Sequence, residues 1–392
     1  MAVLETDLKS PQKRQTVTAP PKSNRIEKIE VSRHRLPLDP PFAAAWDSRP
    51  RESFEVTIAR VTTADGAVGI GVGSGLAGIE AYLDLFTGHD PLDLERHGAV
   101  LANIDFHGGR PWALDVALWD LVGKIRKQPV WRLLGGSSGV VPCYASTGVL
   151  RGKKALADAA RSLANQGFKA VKIRLHQADW RDDIALLEGV RIALNGKAEL
   201  LVDCNQGWRM PWDAEPCWTY QQALAAAWEL KRIGVYWMEE PVHHGDVKAM
   251  AALRGATGLR IAAGEMTRGE HAQRDLIDRN AVDVLQPDAT LTCGVLALKR
   301  LARRAAEKDV AFTPHSWGSG IGLLVNAHVF AGCGGAPWLE YPLDPPEWTP
   351  ERRDFMLAKP VAANKDGCIE LSDAPGFGIE LDEERLAACR LD

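Results

Sequence analysis

The spacing of hydrophobic positions changes near Val141. Before it, Arg25 to Thr63 has strand character. The run Glu55-Val-Thr-Ile-Ala-Arg-Val61 is β-branched and weakly alternating, and Asp65-Gly66 supplies a turn after it. Glu80–Thr87 and Asp93–Asn103 then have helical spacing. Between Arg110 and Leu134 the positions Ala113, Val116, Ala117, Asp120 and Leu121 recur one helical turn apart. Strands followed by helices predict an α+β opening.

From Val141 short apolar runs alternate with amphipathic stretches. Strands are predicted at Val141–Ala145, Ala170–Leu175, Leu200–Cys204, Val235–Met238, Arg260–Ala263, Val282–Leu285, Val310–Thr313 and Trp338–Tyr341. Helices are predicted between them at Lys153–Gln166, Asp182–Leu194, Tyr220–Ile233, Val247–Arg254, Arg268–Asp278, Val295–Lys308 and Leu323–Ala331. Gly167 and Gly234 stand where helix C-caps are needed. Eight strands with seven helical connections predict an α/β fold, a (β/α)7β variant of the TIM barrel with its last helix reduced or replaced. A doubly wound open sheet is the alternative, weakened because no GxGxxG opens a helix after the first strand. The tail from Leu357 has turn signals at Lys365-Asp366-Gly367 and Pro375-Gly376, and is expected to fold back on the first domain.

Composition narrows the function. The chain has 392 residues, 46% hydrophobic and 25% charged, with a formal net charge of −4. That is ordinary for a globular enzyme and gives no basic footprint for nucleic acid. No run of 18 apolar residues exists, so no membrane span is expected. Seven scattered cysteines without a CxxC pair suggest free thiols in a reducing cytoplasm. Residues 1–24 are polar and lack an apolar core, which predicts a disordered leader and not a secretion signal.

A barrel carries its chemistry at the C-terminal ends of its strands, and here nearly every strand ends in an ionisable group. The second ends Lys172-Ile-Arg174, the third Asp203-Cys-Asn205, the fourth Glu239-Glu240-Pro241 and the fifth Gly264-Glu265. Gln286-Pro-Asp288 follows the sixth, Thr313-Pro-His315 ends the seventh, and Glu340 lies on the eighth. Asp203, Glu239 and Glu265 are three hard oxygen donors on consecutive strands, which suits Mg²⁺; the alternative is an ion-pair network with Lys172 and Arg174. Lys172 and Arg174, two apart on a strand, share a face. Lys172 is a candidate base, whereas Arg174 suits anion binding because a guanidinium keeps its proton. Asp288 on the far nitrogen of His315 would fix its tautomer. Glu340 is a candidate protonated acid that donates to a developing enediolate.

This set in this order resembles the enolase superfamily, and within it the mandelate racemase subgroup. The helix Ala113-Leu-Asp-Val-Ala-Leu-Trp-Asp-Leu-Val-Gly-Lys124, followed by Gln128-Pro-Val-Trp131 and Leu133-Leu-Gly-Gly136, is similar to that family's entry into its barrel. The resemblance implies an α+β capping domain over residues 25–140, completed by 357–392, on a barrel over 141–356. It implies Asp203, Glu239 and Glu265 as Mg²⁺ ligands with Glu240 behind them. It further implies a His315–Asp288 dyad, Glu340 as electrophilic acid, and a homo-oligomer. Arg174 departs from the Lys-x-Lys pattern, which argues against a symmetric two-base racemase. The implied activity is an acid sugar dehydratase: α-proton abstraction beside a carboxylate, loss of the β-hydroxyl, and a 2-keto-3-deoxy acid as product. Lys172, Arg174, His315, Asp288 and Glu340 form the catalytic set, and Asn205 and Ser146 are candidate substrate contacts. Racemisation or epimerisation of a 2-hydroxy acid, or a non-catalytic metal-stabilised scaffold, are the alternatives. Loops near His34–Trp46 and Val68–Gly78 are expected over the pocket, with Gly69–Gly78 as a mobile lid. Trp208, Trp212 and Trp218 are candidates for sugar stacking, and Trp46, Trp112 and Trp119 for core or interface.

Overall fold

The computed structural model describes residues 24–74, 78–175, 177 and 179–391. Residues 1–23 of the expected leader and 75–77 of the expected lid lie outside them. Among the described residues no helix is long and apolar enough to cross a membrane, and every cysteine is free.

The chain opens with an antiparallel sheet, β1 (Ile26–Phe42), β2 (Arg51–Thr63) and β3 (Val68–Gly73), in that order. Helices α1 (Leu94–Gly108), α2 (Trp112–Arg126) and α3 (Val130–Leu134) follow. Much of the region read as an overhanging loop is therefore strand: His34–Phe42 belongs to β1, and Val68–Gly73 pairs with β2. The reason lies in the glycines. A Cβ on Gly69 would sit 2.1 Å from Ala117 O, and one on Gly71 would sit 2.0 Å from Ala113 O. These glycines bring a strand directly onto the backbone of α2; they do not loosen a loop. Trp112 and Trp119 are buried in α2, and so belong to the core. Asp120 of α2 accepts from Ile70 N in β3 and Phe377 N in the tail. Asp115 accepts from Val295 N at the start of a barrel helix.

The second part alternates strand and helix. Its strands are β4 (Val140–Ser146), β5 (Ala170–Arg174), β6 (Glu199–Asp203), β7 (Trp237–Glu239), β8 (Arg260–Ala263), β9 (Val284–Leu285), β10 (Ala311–Phe312) and β11 (Leu339–Pro342). They are joined by α4 (Lys153–Asn165), α5 (Trp180–Leu194), α6 (Tyr220–Ile233), α7 (Val247–Thr257), α8 (Glu270–Asp278), α9 (Val295–Ala306) and α10 (Gly320–Cys333). All eight strands are parallel, in the order β10-β9-β8-β7-β6-β5-β4-β11. Between β10 and β11, Ala336 N donates to Phe312 O and Thr313 Oγ1 donates to Ala336 O. This is the (β/α)7β arrangement expected, with helix α11 (Pro350–Arg353) and strand β12 (Cys368–Glu370) after it.

The tail divides its contacts. β12 runs antiparallel to β4, at the barrel. Helix α12 (Glu383–Ala388) and the residues after it return to β1, where Leu391 N donates to Arg33 O and Arg35 N donates to Cys389 O.

The barrel interior is layered. Tyr144, Ala170, Leu201, Trp237, Ala262 and Val284 form an apolar cluster of their own. One pleat further along, Lys172, Asp203 and Glu239 point the same way. The ladder register places Arg174 opposite Asp203 and Asp203 opposite Glu239, so strand pairing alone aligns the charged ends.

Candidate active site

Asp203, Glu239 and Glu265 converge: one oxygen from each lies within 4.8 Å of the others, and all three residues are buried. Asp203 Oδ2 accepts from Arg174 Nη1 at 2.6 Å, and its Oδ1 from Asn205 N at 2.8 Å. Glu239 Oε1 accepts from Lys172 Nζ at 2.5 Å, and Oε2 from Gln286 and Trp237. Glu265 Oε1 accepts from the Trp208 indole at 3.0 Å. Glu240, at φ 45, is buried directly after Glu239. A Cβ on Gly207 would fall 2.1 Å from Glu240 Oε1, so any side chain there would displace the Glu240 carboxylate.

The donor set fits a hard divalent cation. Among the described residues, six buried carboxylates (Asp203, Glu239, Glu240, Glu265, Asp288 and Glu340) are set against three buried cations, Lys172, Arg174 and His315, an excess of three negative charges in the ionised state, with half-buried Arg110 near Asp288. Burial of that many like charges is costly without a further cation. Its mark is on Glu239: burial, opposed by Lys172 and reinforced by Asp203, Glu340 and Glu265, pushes its carboxyl up to about 8.

His315 is held on two sides. Its backbone N donates to Pro287 O, which seats it beside Asp288. Its Nδ1 lies 2.9 Å from Asp288 Oδ2. Asp288 Oδ1 is occupied by Thr290 and by Asn326 Nδ2, so Oδ2 is left for the imidazole. Nε2 points at Glu265 Oε2 at 3.5 Å and Glu340 Oε2 at 3.7 Å. Burial alone would lower its proton affinity; Glu265, Glu340 and Asp288 outweigh it and raise the imidazole to about 10. These three carboxylates favour the imidazolium form of His315.

Glu340 departs from expectation. Oε1 accepts from Ser146 Oγ at 2.7 Å and pairs with Lys172 Nζ at 2.8 Å, while Oε2 accepts from Ser316 N. Burial would raise its pKa, but Lys172, His315 and Arg174 hold it below the usual carboxylate range. Only donors surround it, an arrangement that favours the ionised form over the protonated acid expected.

Lys172 is fully buried between Glu239 and Glu340, which hold its ammonium well above its ordinary value against the pull of burial. Arg174 is likewise raised, chiefly by Asp203. It also donates to Thr147 O and Asn205 Oδ1, and lies over the Trp46 and Trp317 rings at 4.3 and 4.9 Å. A guanidinium so occupied is no base. Ser146 and Asn205, read as substrate contacts, point elsewhere. The Ser146 hydroxyl is spent on Glu340, the Asn205 amide oxygen accepts from Arg174, and neither residue lines the cavity above the triad.

That cavity is about 510 Å³ and lies between barrel and cap. Glu265 and His315 form its floor; Trp46, Arg51, Arg110 and Trp317 are among its walls. Sequence reading placed no role on Arg51, Arg110 or Trp317. Trp46 packs with Phe42, Trp317 and Trp348 and is neither main-core nor exposed. Of the three tryptophans after β6, Trp208 reaches the site through Glu265 and Trp212 lines the cavity while donating to Asp47. Trp218 packs against the main core. A larger cavity of about 660 Å³ lies past Trp46 along Gln206–Gln222 and contains none of the triad.

The capped parallel barrel thus brings a carboxylate triad, a lysine and a His–Asp pair together at its strand ends. The enolase C-terminal domain-like family matches residues 154–385, more than half of the chain, and the chain belongs to that family, as its strand-end residues led us to expect. It is 28% identical to D-galactarolactone cycloisomerase of Agrobacterium fabrum over 379 residues, spanning 91% of this chain and 96% of that protein. It is 29% identical to L-talarate/galactarate dehydratase of Salmonella typhimurium over 391 residues, spanning 94% and 92%. A solved structure of L-talarate dehydratase from Polaromonas sp. JS666, complexed with Mg and L-glucarate, superposes with a TM-score of 0.80 at 26% identity, over 94% of this chain and 98% of that one. Relatives of the chain include dehydratases, cycloisomerases and racemases.

Proposed function

We propose that this protein is an Mg²⁺-dependent dehydratase of an acid sugar. It would remove the proton α to the carboxylate and expel the β-hydroxyl as water, leaving an enol that ketonises to a 2-keto-3-deoxy acid. The observation that carries the reading is the one-sidedness of the site. It has one imidazolium backed by Asp288, and opposite it an arginine engaged by Asp203, Asn205 and Thr147. Such a pair supports proton removal and leaving-group protonation better than proton delivery to either face of one carbon.

A divalent cation held by Asp203, Glu239 and Glu265 would supply positive charge against the developing enediolate and lower the proton affinity of neighbouring Lys172 and His315. The chain's own residues do the rest. His315 Nε2 carries the proton that the leaving hydroxyl needs. Lys172 Nζ would take the α-proton only once a bound cation has relieved it of Glu239; as it stands, Glu239 and Glu340 keep its ammonium protonated. Glu340 and Ser146 fix the position of Lys172; Asp288 fixes the tautomer of His315. Arg174 neutralises Asp203 and stays charged.

The test is a screen of the purified protein with Mg²⁺ against mono- and diacid sugars, read as 2-keto acid and controlled with EDTA. Metal-dependent 2-keto acid supports the reading. Exchange of the α-proton in D₂O without 2-keto acid would replace it with racemisation or cycloisomerisation.

A further inference from the structure

Four cationic side chains line the cavity: Arg51, Arg110, Arg174 and His315. Three have anionic partners. Arg51 Nε donates to Asp47 Oδ2 at 2.9 Å, Arg174 Nη1 to Asp203 Oδ2 at 2.6 Å, and His315 Nδ1 lies 2.9 Å from Asp288 Oδ2. Arg110 has neither a hydrogen bond nor an ion pair among the described residues. The nearby acid Asp105 is taken by Arg268 at 2.7 Å. Arg110 is half-buried, immediately before α2. Burial and the like charge of Arg268 push its guanidinium below its ordinary value, more than Asp288 and Asp105 hold it up.

A half-buried guanidinium without a partner costs free energy that the fold does not recover locally. Lining the same cavity, the buried hydroxyl of Ser74 also lacks a partner among the described residues. A planar fork of donors matches the two oxygens of a carboxylate, and a hydroxyl in the same cavity offers a further donor. The carboxylate next to the reacting carbon belongs over the triad, on the cavity floor. A carboxylate at Arg110 must therefore be a second one.

We infer that Arg110 receives a distal carboxylate, so that the substrate is a sugar diacid and not the monoacid of the same configuration. This rests on the acid sugar reading above and narrows it. Arg51 does not serve the same purpose, because its charge is already spent on the buried Asp47 carboxylate.

The experiment separates the two readings. Mg²⁺-loaded wild type and Arg110→Gln are titrated calorimetrically with a hexaric acid, the hexonic acid of the same configuration, and its 6-phosphate. Turnover is followed on the same three compounds. Wild type should bind the diacid about 10²-fold more tightly than the monoacid, and Arg110→Gln should lose that margin, as expected for truncating one partner of a desolvated charge pair. Arg110→Lys should recover part of it. Because no partner is orphaned, ligand-free Arg110→Gln should melt no lower than wild type. Equal wild-type affinity for diacid and monoacid overturns the inference, as does a preference for the 6-phosphate. A clear loss of melting temperature in ligand-free Arg110→Gln also overturns it, by assigning Arg110 to the fold. Diacid-selective binding without 2-keto acid from any compound upholds the inference while refuting dehydration.

Discussion

His328 should make the protein acid-labile in a way that one substitution removes. It lies on α10, 1% exposed, with its ring edge-on to Phe377. Trp131 N donates to Nδ1 at 3.2 Å, which requires that nitrogen to be unprotonated, and the other side of the ring bonds the backbone at Phe377. Burial, only partly offset by that second bond, pushes the imidazole down from 6.5 to about 3. The sign follows from proton counting. Between pH 6.5 and 3 the unfolded chain holds a proton on His328 and the native one does not, so stability falls as pH falls through that window. At 1.36 kcal/mol per pH unit, acidification from pH 7 to pH 4 removes about 3 kcal/mol through this residue alone. His328→Gln keeps an acceptor for Trp131 N and a donor toward Phe377 but cannot titrate. Urea unfolding of both proteins at the two pH values isolates the contribution as a double difference, whatever other groups titrate. Wild type should lose about 3 kcal/mol more than His328→Gln. An equal loss in both would mean that His328 is not held neutral, and the burial argument would fail.

His315→Asn should lower dehydration by 10²–10⁴-fold, about the weight of one general acid, with the far-UV spectrum unchanged; activity within tenfold of wild type would remove His315 from the chemistry. Mg²⁺ at about 100 times its dissociation constant should add about 2.7 kcal/mol to unfolding. Glu265→Gln should abolish that gain, and a gain that survives would locate the ion elsewhere. Gly71→Ala drives a Cβ to 2.0 Å from Ala113 O in α2, and denaturation should show a loss of about 3 kcal/mol; a neutral result would mean that β3 does not rest on that helix as described.

Legibility followed the length scale of the cause. The barrel strands and helices were readable because each carries its own period and cap: Tyr220–Ile233 and Arg260–Ala263 were read to the residue. The converging carboxylates were readable because consecutive parallel strands put residues at equivalent ends side by side. The cap was harder. Gly69 and Gly71 look like loop in sequence, and only the approach of α2 makes them strand. Asp115 and Asp120 stand within an otherwise buried helix, and their partners Val295 and Phe377 are far along the chain. The charge surroundings of Glu340 also escaped, because they come from three cations at two other strand ends, Lys172 and Arg174 on β5 and His315 after β10, and not from its own neighbours. Arg110 carries no pattern at all: its meaning lies in what it fails to contact.

Arg174 shows how one residue ties these levels together. A lysine there would meet Asp203 as a point charge. The guanidinium instead meets Asp203, Asn205 and Thr147 while its face lies against Trp46 from the cap and Trp317 from the end of β10. Trp46 and Trp317 are themselves packed edge to face at 4.9 Å and continue into Phe42 and Trp348. The charge that neutralises Asp203 is thus also the surface on which the cap rests. A side chain held from so many directions cannot swing to exchange a proton with substrate, so the proton transfers proposed above do not pass through it. Asp47, one residue past Trp46, fixes Arg51 and accepts from Trp212. The segment that seals Arg174 therefore sets two walls of the cavity. The departure at Arg174 is a structural commitment of the cap as much as a change in the chemistry of the strand end.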